Sequence, residues 1–169
     1  ETAGVACSSG KKDFLEGVFA GLFHYDYNYI VLEKGMIRMP VYSAKYSQLV
    51  MPDHINVVGT LFGGQMIAWV DLAAGKTAFR FLKGADVDGS VTRAIEKVEF
   101  KEPVYLGEWV NFTSTVISAG KTSFTIEVEA HAEGRKTELR LACFATVVMV
   151  SVKKDNEGNY QKVPHGKSC

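Results

Sequence analysis

Two hydrophobic rhythms divide the chain. From Phe62 to about Leu82, apolar and small side chains recur at three and four positions: Phe62, Met66, Val70, Ala74, Thr77, Ala78 and Phe81. That spacing is one face of an α-helix of about 20 residues, which Lys83-Gly84 stops well. Its second half is small, with Ala73, Ala74, Gly75 and Ala78, which lets a sheet approach closely. After the helix the period falls to two. In Thr122–Ala132, Phe124, Ile126, Val128 and Ala130 alternate with Thr125, Glu127, Glu129 and His131, the pattern of a half-buried strand.

Further strands are predicted at Ser90–Val98, Phe100–Val104, Glu108–Ser118 and Glu138–Val152, the last long, apolar and central. Turns are expected at Ala119-Gly120-Lys121, Glu133-Gly134-Arg135 and Asn156-Glu157-Gly158. Met36–Val50, with Pro40 inside, predicts an irregular or edge strand before the helix. Residues 51–61, with Pro52, Asp53, Asn56 and Gly59, carry loop chemistry. Strands joined by short turns pair antiparallel. A strand, a long helix and then a run of strands specify an α+β fold, an antiparallel sheet wrapped around one helix. Ahead of it, residues 1–10 read as a loose arm. Phe14, Leu15, Val18, Phe19, Leu22 and Phe23 predict a short helix packed on the domain, a lid or a dimer contact, with Tyr25, Tyr27 and Tyr29 behind it.

Composition narrows the function. The chain has 169 residues, enough for one domain with a substantial core. Its 19 Lys and Arg balance 19 Asp and Glu, so no general electrostatic attraction to nucleic acid or an anionic membrane is expected. No apolar run approaches the about 18 residues of a membrane span, and no charged segment followed by an apolar one opens the given sequence, whose first residue is Glu1 and not Met, which leaves a removed targeting segment open. Cys7, Cys143 and Cys169 are odd in number, far apart and unpaired by motif. A disulfide framework or cysteine zinc site is therefore not expected, and the usage fits a reducing, cytoplasmic compartment. The four histidines, His24, His54, His131 and His165, are scattered, so no metal site is expected.

Asp71 is the lone carboxylate between Asp53 and Asp86, flanked by Trp69, Val70, Leu72 and Ala73. An acid on an apolar helix must be paired, exposed or used. Lys76 and Arg80 are the pairing candidates. Gly63-Gly64 stands at the helix N-terminus, where first-turn N–H groups lack helical partners and carry the positive dipole end. They either pack tightly or hold a developing oxyanion. Seven residues separate Gly64 from Asp71, about two turns and about 10 Å of rise. They share a face, but one Asp71 cannot serve a carbonyl docked on its own helix N-terminus. The spacing therefore predicts a composite site in a two-fold dimer. Asn56 is a turn residue or a polar site group, and His54 a loop residue or a base.

The run His54-Ile55-Asn56-Val57-Val58-Gly59-Thr60-Leu61-Phe62-Gly63-Gly64, followed by Asp71, resembles the hotdog-fold acyl-CoA thioesterases, in the branch of bacterial YciA-like enzymes and animal cytosolic long-chain acyl-CoA hydrolases. Val91-Thr92-Arg93-Ala94-Ile95-Glu96, Phe100, Pro103-Val104, Gly107-Glu108, Gly120-Lys121-Thr122-Ser123, Asp155 to Gly158 and Pro164 agree with it. The likeness covers residues 36–164, which leaves 1–35 as an N-terminal extension and 165–169 as a tail.

The resemblance implies a hotdog fold and an obligate homodimer that assembles further to a tetramer or hexamer. It implies hydrolysis of acyl-CoA, with coenzyme A as a substrate moiety and no required cofactor. Asp71 would be base or nucleophile. Asn56 of the facing protomer would hold water or the carbonyl, and the Gly64 amide, with Gly63, would polarise the thioester. Pantetheine would lie along Phe100 and Pro103. Lys121, Thr122, Ser123, Arg93, Lys97, Lys101, Arg135 and Lys136 are the candidates for the nucleotide phosphates. Where the family often has a basic residue before the proline, this chain has Glu102. The rival readings are a non-catalytic acyl-CoA sensor, a hotdog hydroxyacyl-thioester dehydratase, and the phenylacetyl-CoA type of thioesterase.

Overall fold

A computed structural model describes residues 5–6, 28–29 and 40–168. The expected helix within 11–35, with Tyr25 and Tyr27, lies outside the described residues, as does the start of the Met36–Val50 segment. The elements are β1 (Val5–Ala6), β2 (Asn28–Tyr29), β3 (Pro40–Val41), β4 (Ser43–Leu49), α1 (Gly63–Phe81), β5 (Gly89–Phe100), β6 (Trp109–Ala119), β7 (Ser123–Gly134), β8 (Thr137–Lys154) and β9 (Tyr160–Lys162). A single 3-10 turn, Pro52–His54, sits in the loop before the helix.

The long strands form one antiparallel sheet in the order β4-β6-β7-β8-β5. Strand β1 adds to the far end of β6, and β9 to the end of β8. Strands β2 and β3 pair separately. Helix α1 lies across the sheet and touches β4, β6, β7, β8 and β5. This is the α+β hotdog arrangement expected. No helix among the described residues is long and apolar enough to cross a membrane.

The helix meets the sheet through Met66, Trp69, Val70, Ala73, Ala74, Thr77, Ala78 and Phe81, all buried. Ala73, Ala74 and Ala78 have no exposed surface, because their short side chains bring the helix backbone against the strands. The sheet answers with Phe112, Val116, Phe124, Ile126, Val128, Val147 and Met149. Thr77 is the polar exception, and it is satisfied. Its Oγ1 lies 2.6 Å from Ser114 Oγ, which also bonds the Ala73 carbonyl at 2.9 Å. A buried hydroxyl without such partners would destabilise the fold.

Three expectations are corrected and one strand is added. Phe62, expected on the buried face, caps the helix and is 59% exposed, while Trp69 and Ala73 take buried places the spacing missed. Ser90–Val98 and Phe100–Val104 are one strand that ends at Phe100. Beyond it the amides of Lys101 and Glu102 converge on one acceptor, the Ala142 carbonyl, and Pro103 has no N–H to continue a ladder. Strand β8 is interior, but β7 holds the centre. Strand β9, beyond the expected Asn156-Glu157-Gly158 turn and not itself predicted, pairs with Val152–Lys154.

Phe81 has no exposed surface and stacks edge-on with Tyr42 and tilted on Phe124. We expect Phe81→Ala to cost about 3–5 kcal/mol of stability, read as a lower urea midpoint at an unchanged slope.

Candidate active site

The loop before α1 is pinned from both sides. Asn56 Oδ1 accepts hydrogen bonds from the amides of Val58 at 3.0 Å and Thr60 at 3.2 Å, while its Nδ2 donates to Thr60 Oγ1 at 2.9 Å. Asn56 thus closes an Asx-type loop and keeps one further N–H to offer. The loop end is tied to its neighbours through Leu61 N–H on the Val104 carbonyl, 2.7 Å, and Phe62 N–H on the His54 carbonyl, 2.8 Å. His54 serves the same loop. Its Nδ1 accepts from the Met51 amide at 3.0 Å, and its ring stands edge-on to Trp69.

Helix α1 begins without a side-chain cap. The first amides to enter its ladder are those of Gln65 and Met66, both on the Phe62 carbonyl. The N–H groups of Gly63 and Gly64 precede the ladder, at the positive end of the dipole. A Cβ on Gly64 would come within 2.5 Å of the Phe62 ring, and one on Gly63 within 3.4 Å of the Phe100 ring. The two rings flank the glycines, so the backbone is the surface presented there. Beside it opens a cavity of about 370 Å³, lined by residues that include Gly63, Met66, Phe100, Lys101 and Pro103. The structure therefore brings Phe100 and Pro103 to the helix N-terminus.

The far wall of that cavity is held by a buried carboxylate. Glu108 is 5% exposed. Its Oε1 takes bonds from Thr137 Oγ1 (2.8 Å) and Arg140 Nη1 (3.1 Å). Its Oε2 takes bonds from Arg140 Nη2 (2.7 Å) and the Tyr105 amide (2.9 Å). Arg140 Nη2 also reaches the Pro103 carbonyl at 2.7 Å. Burial alone would raise the Glu108 pKa, but the bonds from Arg140, the Tyr105 amide and Thr137 overcome it and hold the carboxyl below its usual range. The sequence reading did not single out Arg140 or this role for Glu108. Arginine and glutamate thirty-two positions apart carry no local signal of pairing.

Asp71 is half-buried on α1, two turns beyond Gly64. It pairs with neither Lys76 nor Arg80. Lys76 Nζ donates to the Lys45 carbonyl at 2.7 Å and Arg80 Nη1 to the Ser43 carbonyl at 2.8 Å. Instead Asp71 Oδ1 accepts from Thr92 Oγ1 of β5 at 2.6 Å. Thr92 was absent from the candidate site residues. It is one of several strand threonines, and only the sheet shows which of them faces the acid.

The expected phosphate cations do not converge in one protomer. Lys101 lies at the cavity and is ion-paired to Glu99, which also holds Lys97 at 3.0 Å. Arg135 is exposed at the β7–β8 turn. Arg93 is exposed at mid-β5, beside a bulge. Lys121, Thr122 and Ser123 occupy the β6–β7 turn near the other end of the helix, where the Lys121 carbonyl accepts from the His165 amide. Burial pushes the Cys143 thiol up to about 11, so it is a core residue, not a nucleophile. Among the described residues no three His, Cys, Asp or Glu side chains form a metal-holding group.

Residues 58–139 match the thioesterase superfamily. An acyl-coenzyme A thioesterase of Mus musculus is 31% identical over 69% of this chain, and the match spans 19% of the mouse protein. An acyl-CoA hydrolase from Staphylococcus aureus, solved with butyryl coenzyme A and coenzyme A, superposes with a TM-score of 0.61 at 27% identity, over 73% of this chain and 72% of that one. A hexameric hotdog fold thioesterase of Campylobacter jejuni gives 0.60 at 31% identity, over 70% and 87%. The chain belongs to the hotdog-fold thioesterase superfamily.

The Glu108 cluster makes a pH prediction. The carboxyl ionises near 4.3 when unfolded and lower when folded, so its stabilisation is whole above that value and is lost as pH falls through the folded one. We expect Glu108→Gln to lower stability by about 3 kcal/mol at pH 7. The gap to wild type should close in acid, as followed by melting temperature against pH.

Proposed function

We propose that the chain hydrolyses an acyl-CoA thioester to a free acid and coenzyme A, at a site built by two copies. Family membership supports the reaction. The observation that carries the site is the Asp71–Thr92 pair, a half-buried carboxylate oriented by a hydroxyl on the face that also presents the Gly63-Gly64 amides. Those amides and Asp71 are about 10 Å apart along one rigid helix, too far for a base and the carbonyl it serves. A second helix running antiparallel closes that gap. Strand β5 supports such pairing. It is a twelve-residue edge strand whose outer side meets no strand among the described residues, and an edge of that length invites a partner.

In this reading the amide of Gly64, with Gly63, binds the thioester oxygen and stabilises its negative charge as the carbonyl carbon becomes tetrahedral. Asp71 of the facing copy takes a proton from water as the water oxygen bonds that carbon, or attacks the carbon itself to give an anhydride that water opens. The carbon–sulfur bond breaks as the tetrahedral carbon collapses, to the free acid in the first route and, before water acts, to the anhydride in the second. Coenzyme A leaves as a thiolate, which needs no strong acid, and takes up a proton from solvent. Thr92 holds Asp71 in place. The remaining Nδ2 proton of Asn56 is directed at the water or the carbonyl. Pantetheine occupies the cavity along Phe100 and Pro103. The nucleotide phosphates draw on Lys101, Arg135 and Arg93, and on the Lys121-Thr122-Ser123 turn of whichever copy lies nearest. Residues 36–164 form the catalytic unit and 1–35 an extension of it.

The test is thiol release from a panel of acyl-CoAs. Asp71→Asn should lose about 100-fold or more in kcat, and Thr92→Val about 10-fold, both still folded. Wild type that binds acyl-CoA without releasing thiol would make the chain a sensor. The shared site is tested by mixing. Asp71→Asn and Asn56→Ala should each be inactive alone, yet refolding them together should restore about a quarter of wild-type activity. A mixture as inactive as its parts would refute the two-copy site.

A further inference from the structure

A second cavity lies one step beyond the Asp71–Thr92 pair on both elements that carry it. On α1, Gly75 follows Asp71 by four residues, about 40° round the helix and about 6 Å along it. On β5, Ser90 precedes Thr92 by two residues and shares its face of the strand. Between them opens a space of about 410 Å³, whose lining includes Gly75, Phe79, Leu82, Val87 and Met149 and, among polar residues, Lys83 and Asp88. Met149 is the register partner of Thr92 and forms the buried side. Phe79, 78% exposed, forms a wall facing outward.

Gly75 is the unusual residue here. Glycine inside a helix destabilises it relative to alanine, and its φ is not in the left-handed region. Close packing among the described residues does not demand it either, since a Cβ there would meet none of their heavy atoms within 4 Å. Ala73, Ala74 and Ala78 are small because the sheet presses on them, whereas Gly75 is small where nothing among the described residues presses.

We infer that this cavity is the chamber for the acyl chain, and that Gly75 sets how long a chain can enter. The inference rests on the thioesterase reading above. With the carbonyl carbon at Asp71, a chain directed away from the helix N-terminus passes Gly75 on one side and Ser90 on the other. Gly75 stands about 6 Å along the helix from Asp71, so a chain that reaches this space of about 410 Å³ extends beyond the first four carbons. Acyl groups of two to four carbons end before Gly75 and do not use it.

Leucine at Gly75 would fill the space and favours the helix, so the variant should fold. The test compares wild type with Gly75→Leu, and with Gly75→Ala as the intermediate. Thiol release is measured from acetyl-, butyryl-, octanoyl- and palmitoyl-CoA. Binding of non-hydrolysable ethyl and hexadecyl thioethers of coenzyme A is measured by calorimetry. Gly75→Leu should lower kcat/KM for octanoyl- and palmitoyl-CoA by about 30-fold or more and leave the short substrates within about three-fold. It should weaken the hexadecyl thioether and spare the ethyl one. Equal loss across all chain lengths, accompanied by a change in size-exclusion volume, would mean that a second copy fills the space and would overturn the chamber. No loss at any length would overturn it too. Wild type that releases no thiol, while Gly75→Leu still weakens only the long thioether, would overturn the thioesterase reading and leave the chamber standing.

Discussion

The close contact between helix α1 and the sheet governs everything built upon it. Ala73, Ala74 and Ala78 are fully buried, and Thr77 is locked to Ser114 and, through it, to the Ala73 carbonyl. A helix held so tightly cannot slide or roll. Its N-terminal amides, its single carboxylate and its half-buried Gly75 therefore stand at set positions along one rigid axis. That rigidity gives each group its geometry. It also keeps Gly64 and Asp71 of one chain apart, which is why the proposed chemistry calls on a second helix.

Around the helix, polar groups serve as fasteners for the walls. Glu108 and Arg140 hold the segment from Pro103 to Tyr105, which in turn receives the Leu61 amide just ahead of the helix. Asn56 folds the 56–60 loop over itself. The first-turn glycines thus sit in a frame fixed on both sides without a capping side chain. A cap would compete for the amides that the site leaves open. The hydrogen-bonding capacity of this region is spent on placing backbone, and that leaves unpaired N–H groups where an anionic oxygen can be met.

The two cavities lie at opposite ends of the same helix, one against Gly63 and one against Gly75. Asp71 and Thr92 stand between them. In the two-fold pair proposed above, the N-terminal cavity of one copy would face the acid of the other. On that proposal a long, thin substrate would have a continuous course, with its polar carrier at one end and its acyl chain at the other.

Much of this was legible from residue order alone. Helix α1 and the strand sides of β7 followed from periodicity, because 3.6 and 2 are properties of the backbone and the burial of one face repeats them. Asp71 and Gly63-Gly64 stood out because a lone acid and paired glycines are costly in an apolar helix. What periodicity could not supply were contacts between residues distant in the chain. Thr92 on Asp71, Arg140 on Glu108 and Ser114 on Thr77 join partners twenty-one to thirty-seven positions apart. Phe62 was misplaced because the end of a helix is set by its neighbours, here the His54 carbonyl and the 101–104 segment, and not by its own period. The sequence by itself determined which groups the helix carries and how far apart they lie, since an α-helix has one rise and one twist. Only the tertiary structure decided which strand side chain meets the acid and where space is left open, because those depend on the register of a sheet assembled from segments far apart in the chain.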